Sequence, residues 1–175
     1  MSNAVKQFGF LVDNDNEKDD LVKDIIKQRM RGGQHNSCVN MKMMIFVDSA
    51  HTFRHVQNIV DDIDSIKKPT TFLCGGDMDP NNRKLSQEQF ENDRNDAILI
   101  ATPSLGTGTD IHGVTDVVLF NIPSSKAYHQ QATSRCARGR DGFTGCAFTP
   151  YKRTEENMWN DIKPRVWYGY DTWMN

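Results

Sequence analysis

The stretch AILIATPSLGTGTD, residues 97–110, decides how the rest of the chain is read. Five apolar residues run without a polar break, and glycines, hydroxyls and an aspartate follow at once. A strand with one wet face alternates apolar and polar side chains, whereas one that is apolar throughout belongs to a sheet covered on both faces. Such sheets are mostly parallel, and their ligands sit beyond the carboxyl ends of the strands. In the loop 102–110, Gly106 and Gly108 allow close backbone approach to a ligand. Thr102 offers a hydroxyl there, and Asp110 an acceptor for a sugar hydroxyl. A glycine-rich loop on its own is also no more than a turn.

Working outward, the same alternation of strand and helix recurs. KQFGFLV (6–12) alternates apolar side chains at Phe8, Phe10 and Val12 and reads as a strand. The next segment has capping candidates at Asn14 to Asn16, acids in its first turn and bases near its end, the charge order that suits a helix dipole. MMIFV (43–47), TTFLC (70–74), DVVLFNI (116–122) and TGCAFT (144–149) read as further strands. Helices are expected over 51–63, 82–93 and 125–138, the first with Phe53, Val56, Val60 and Ile63 on one face. The pattern predicts an α/β fold, a doubly wound, mostly parallel sheet flanked by helices with right-handed crossovers. Four stretches then fall at the candidate carboxyl edge: 48–50, 75–83, 102–110 and the 125–138 helix.

Bulk properties narrow the class. The 175 residues suit one domain with a sizeable core. No apolar run approaches the ~20 residues of a membrane helix, and no signal-peptide pattern opens the chain. Residues 1–4, with Ser2-Asn3-Ala4, read as an expression remnant. Cys38, Cys74, Cys136 and Cys146 form no CxxC pair, and the five histidines do not cluster with them, which argues against a zinc site. Reduced thiols in a cytoplasmic or nuclear setting are expected. A net charge of −2 argues against wholesale electrostatic capture of nucleic acid but leaves room for a local basic groove.

Such a local cluster exists. YHQQATSRCARGRDG, residues 128–142, holds Arg135, Arg138 and Arg140, with Gln131 leading the row. Gln131, Arg135 and Arg138 are spaced i, i+4, i+7, so a continuous helix would project them from one face. Cations in a last helical turn also simply favour the dipole, and Gly139 or Gly142 could cap such an end. The functional alternative is a guanidinium pair aimed at a phosphate chain, since the planar fork donates two bonds and never deprotonates. In GGDMDPNNR (75–83), Asp79-Pro80 starts a helix well and places Arg83 one turn in.

In this order the stretches resemble the second RecA-like domain of superfamily 2 helicases, most closely the DEAD-box RNA helicases, over about residues 6–150. QFGFLVDNDNEKDDLVKDII looks like the family's opening strand and helix, and MIFVDS like its motif IV. GGDMDPNNR is similar to a His-Gly-Asp turn followed by Gln-x-x-Arg, keeping Gly76, Asp77 and Arg83. ATPSLGTGTD resembles motif V, keeping Thr102, Gly108 and Asp110, and QATSRCAR resembles motif VI, keeping Gln131, Arg135 and Arg138. Against the family pattern, Gly75 stands for His, Pro80 for Gln, Pro103 for Asp, Thr107 for Arg and Ser134 for Gly.

The resemblance implies a protein that binds ATP and Mg²⁺ in a cleft between this domain and a preceding RecA-like domain. The phosphate loop and the magnesium-holding acidic motif would lie in that other domain, and neither GxxxxGK[ST] nor DEAD occurs here. The chain is therefore expected to be half of a larger protein. By the same implication Arg135 and Arg138 act as arginine fingers, with Asp110, Gly108 and Gln131 on the nucleotide. Thr102, Arg83 and Gly76 hold RNA through its phosphates. Two rival readings remain: a degenerate helicase domain kept as a protein-interaction module in a ribonucleoprotein complex, and a DNA-directed enzyme of the same superfamily. The tail 151–175 holds Trp159, Trp167 and Trp173. These are either anchors for a protein partner or side chains folded back onto the domain's own apolar surface.

Overall fold

Six parallel strands in the order β1-β6-β5-β2-β4-β3 form the single sheet of the computed structural model, which describes residues 5–30, 40–64, 66–103, 110–137 and 144–173. The strands are β1 (Val5–Val12), β2 (Lys42–Phe46), β3 (Thr70–Cys74), β4 (Ala97–Ala101), β5 (Asp116–Leu119) and β6 (Gly145–Lys152). The helices are α1 (Asp15–Arg29), α2 (Ala50–Asp61), α3 (Pro80–Asn92), α4 (Lys126–Thr133), α5 (Glu156–Ile162) and α6 (Tyr170–Trp173). β2, β4 and β5 are buried along their whole length, which is why they carry no alternation.

Period-two side-chain direction splits the core in two. Phe8, Phe10, Met43, Ile45, Ile98 and Val118 pack under α1 and α2, through Leu21, Ile25, Val56 and Val60. Met44, Phe46, Leu99, Val117 and Ala147 face the other way, toward Phe90 of α3, Ile111 and Val114 of the β4–β5 connection, and Ala132 of α4. Helix starts follow local chemistry. Asn14 caps α1 by accepting from Glu17 N at 2.9 Å, while Glu17 Oε2 accepts from Asp13 N at 2.9 Å. Ser49 and Ser125 cap α2 and α4 in the same way. Two buried charges tie elements together at the amino edge. Arg29 Nε donates to Asp116 Oδ1 at 2.7 Å. Lys42 Nζ donates to the Phe90 carbonyl at 2.7 Å and to that of Asp93, neutralising the carboxyl end of α3.

Two expectations need correction. β5 ends at Leu119 rather than 122, and β6 runs on to Lys152. The 125–138 helix stops at Thr133 and tightens into a 3-10 turn, Ser134–Ala137. The cause is local: Thr133 Oγ1 donates to Gln130 O, Ser134 Oγ to Gln131 O at 2.8 Å, and Cys136 Sγ to Thr133 O at 3.1 Å. Three short side chains within four residues thus compete for carbonyls that an α-helix needs. Of the two readings of the tail, the tryptophans fold back onto the domain's own apolar surface. Trp159 is 1% exposed and stacks on Tyr151 at 5.3 Å, and Trp173 sits edge-on to Phe148 at 5.0 Å. Trp167 is half-buried against Trp159. The tail also covers the open edge of β1, where Tyr168 N donates to Gln7 O and Gly9 N to Tyr168 O, both at 2.9 Å. Among the described residues no helix is long and apolar enough to cross a membrane.

His129 on α4 lies edge-on to Trp159 with ring centroids 6.0 Å apart, is 2% exposed, and is pushed by burial from 6.5 down to about 4. Below pH 6.5 the unfolded chain takes up a proton that the folded chain refuses, so stability falls as pH drops from about 6.5 to 4. The loss attributable to this ring is about 3 kcal/mol. Denaturant melts across that window check it: His129→Phe, which keeps a ring and removes the titrating group, should flatten this part of the slope.

Candidate functional site

At the carboxyl edge, β3 ends in the turn Gly75–Met78, closed by Met78 N donating to Gly75 O at 3.2 Å. Asp79 then caps α3 by accepting from Asn81 N at 2.8 Å, with Pro80 in the first turn. β4 ends beside it. Thr102 N donates to Cys74 O at 3.2 Å, and Thr102 Oγ1 accepts from Gly76 N at 3.0 Å. Thr102 and Gly76, two of the residues expected on RNA, are therefore one hydrogen-bonded unit. Arg83 lies a turn into α3, half-exposed, its carbonyl 4.0 Å from Cys74 Sγ. A cavity of about 590 Å³ opens next to this unit, lined by Gly75 to Met78, Thr102 and the first turns of α2. The contribution of Phe53, Arg54 and Gln57 from α2 was not foreseen. The Ser49 cap after a strand was the signal for it, because it places the first turns of α2 at this edge.

The residues expected on the nucleotide lie elsewhere. Asp110 is exposed, with its Oδ2 3.6 Å from His112 Nε2, and His112 N donates to Glu91 Oε1 near the end of α3. The adjoining Ile111 and Val114 share one apolar cluster with Ala132 and Cys136. Gln131 is exposed on α4. Arg135, in the 3-10 turn, is 3% exposed. The shared face predicted for Gln131, Arg135 and Arg138 is thus not formed by a continuous helix: the helix tightens between the first two, and one is open while the other is buried. Gly108 and Arg138 fall outside the described residues.

The turn also sits at the opposite edge from the one expected. It packs against β1, β5 and β6. A Cβ on Gly145, the first residue of β6, would lie 2.3 Å from Cys136 O. Burial, with Asp116 at the start of β5 adding to it, pushes the Cys136 thiol far above its ordinary range. The arginine turn therefore rests on the amino ends of β5 and β6, while the Gly76–Thr102 unit rests on the carboxyl ends of β3 and β4. The connection 102–115 leads from Thr102 through Asp110 to the start of β5. Among the described residues there is no group of three His, Cys, Asp or Glu side chains placed to hold a metal ion.

Comparison with known proteins matches this architecture. Residues 17–140 match the helicase conserved C-terminal domain, and the chain belongs to that family. Its relatives are DEAD-box RNA helicases and their kin. The chain is 30% identical to the DEAD-box ATP-dependent RNA helicase CshB of Listeria monocytogenes over 101 residues, 57% of this chain and 22% of CshB. It is 27% identical to eukaryotic initiation factor 4A-1 of Arabidopsis thaliana over 160 residues, 91% of this chain and 35% of that protein. The chain thus spans between about a fifth and a third of the length of these relatives. In fold it is similar to domain 2 of the DEAD-box helicase Mss116p, solved bound to an RNA duplex, with a TM-score of 0.79 and 19% identity over 95% of this chain and 64% of that one. This is a helicase carboxyl-terminal domain with a RecA-like fold, similar to those of DEAD-box proteins.

The contact under the arginine turn leads to a prediction. Gly145→Ala must move the turn off β6 or strain it, which should cost about 1–3 kcal/mol in a denaturant melt. A melt unchanged from wild type would show that the turn is not held at this point.

Proposed function

We propose that this chain is the carboxyl-terminal half of an ATP-dependent RNA helicase, which closes against a preceding RecA-like domain to complete an ATP site. The observation that carries the reading is the path of 102–115. One connection begins at the Gly76–Thr102 unit and continues past Asp110 to the strand on which the arginine turn rests. RNA at one end and nucleotide at the other would then bias the same segment. The relatives' own descriptions as ATP-dependent RNA helicases support it.

In this reading Thr102, Gly76 and Arg83 grip RNA phosphates, giving little sequence preference. Asp110, with Gly108 and Gln131, meets the nucleotide from the amino edge. Arg138 supplies positive charge to the transferring γ-phosphoryl group, the arginine-finger role. Arg135 is assigned to the same charge relay, and its burial in the single domain means that it reaches the phosphoryl only when closure shifts the 3-10 turn. ATP is the substrate, and Mg²⁺ neutralises its phosphates from the preceding domain. No residue here is assigned to the metal.

The burial of Arg135 and the departures Pro103, Thr107 and Ser134 favour a second reading, a domain kept for protein interaction in a ribonucleoprotein complex. ATP turnover separates the two. The 175-residue chain alone should hydrolyse no ATP, with or without RNA, because half of the site is missing. In the protein carrying both RecA-like domains, RNA-stimulated turnover should be measurable, and Arg138→Ala should lower it by about 10³. A loss below tenfold, or no turnover in the two-domain wild type, favours the interaction module.

A further inference from the structure

The cavity beside the Gly76–Thr102 unit has the wrong charge for a phosphate and the right surfaces for something else. Its polar lining includes two carboxylates, Asp48 and Asp77, against one guanidinium, Arg54. Inside the cavity these carboxylates repel an anion, so the phosphates assigned to Thr102, Gly76 and Arg83 would pass outside it. Its apolar lining is Phe53, Leu73 and Met78. Phe53 and Leu73 are also packed onto the core, so the ring is a platform with a fixed backing. The Asp48 Oδ1 atom already accepts from Thr52 Oγ1 at 2.9 Å. Asp77 is exposed and makes no hydrogen bond or ion pair among the described residues, so its acceptors are available. An aromatic side chain and an available carboxylate lining the same cavity match a neutral, planar ring bearing N–H donors.

Gly75 keeps the space open. A Cβ there would lie 2.8 Å from Asp77 Oδ1 and 3.9 Å from both Phe53 Cε2 and Met78 Cγ, so any side chain at this position would stand between the ring and the carboxylate. Histidine occupies the corresponding place in the pattern that the 75–83 stretch resembles, and this chain has none there.

We propose that this cavity is a nucleobase subsite, holding one unstacked base with an exocyclic amine from a single RNA strand, stacked on Phe53 and hydrogen-bonded to Asp77. The inference rests on the reading of this edge as an RNA surface and adds base recognition to a grip otherwise made through phosphates.

Fluorescence anisotropy on the full chain tests it with three short RNA strands of equal length: oligoadenylate, oligouridylate and an abasic oligomer. Oligoadenylate should bind about tenfold more tightly than the abasic strand, the scale of one base–aromatic stack, and more tightly than oligouridylate, which lacks the amine. Gly75→His, accommodated by a turn of the Asp77 side chain, should reduce oligoadenylate to the abasic level while leaving the abasic affinity in place. Phe53→Leu, which preserves apolar packing, should act in the same direction. Equal affinity of the wild type for oligoadenylate and the abasic strand overturns the subsite and leaves the RNA surface standing. A base preference that survives both substitutions puts the base elsewhere and also overturns it. No binding of any strand overturns the subsite together with the RNA surface.

Discussion

The arginine turn and the first residue of β6 touch with no room to spare, and much of the site's geometry follows from that contact. A Cβ on Gly145 would fall 2.3 Å from the Cys136 carbonyl oxygen, well inside contact distance. Glycine lets the turn lie flat on the sheet and buries Arg135 to 3% exposure. A guanidinium taken out of water needs compensating partners, and losing them leaves an uncompensated buried charge. The turn is thus held by packing below and by buried charge within.

The rest of the molecule packs around that turn. Both faces of the parallel sheet are dry, one under α1 and α2 and the other under α3, α4 and the β4–β5 connection. The aromatic tail packs on both faces and one edge, with Trp173 in the cluster under α1 and α2. Trp159 fills the space over Gly9, whose Cβ would lie 2.4 Å from the indole, and Tyr168 pairs with the free edge of β1. The tryptophans are thus part of the domain that carries the site, and His129 on α4, edge-on to Trp159, links the tail to the helix that leads into the arginine turn.

Most of this architecture was legible in the sequence, for a simple reason. The run AILIA coincides with β4 because continuous apolar burial leaves little choice of structure, and Asn14 caps α1 with the chemistry its sequence announces. The end of α4 was not legible from periodicity. Thr133, Ser134 and Cys136 each donate to a carbonyl three residues back, and that competition, not the apolar pattern, ends the α-helix. Motif residues named the Gly76–Thr102 unit because they are close in space, as their order suggested. The edge occupied by the arginine turn was misread because the rule about carboxyl ends describes loops after strands, whereas this turn follows a helix that has already crossed back. The role of Gly145 had no sequence signal, since a close approach of two backbones is visible only once both are placed.

The central claim is that the segment leading out of the arginine turn contacts the phosphoryl group as it transfers. Affinity for ADP with a metal fluoride, compared with ADP alone, in the two-domain protein with RNA present, tests this most directly. For Arg138→Gln the account predicts a loss of about 10³ in metal-fluoride complex affinity with ADP binding within a few fold of wild type. Equal retention of both affinities would contradict it, because the guanidinium would then have no part at the reacting centre.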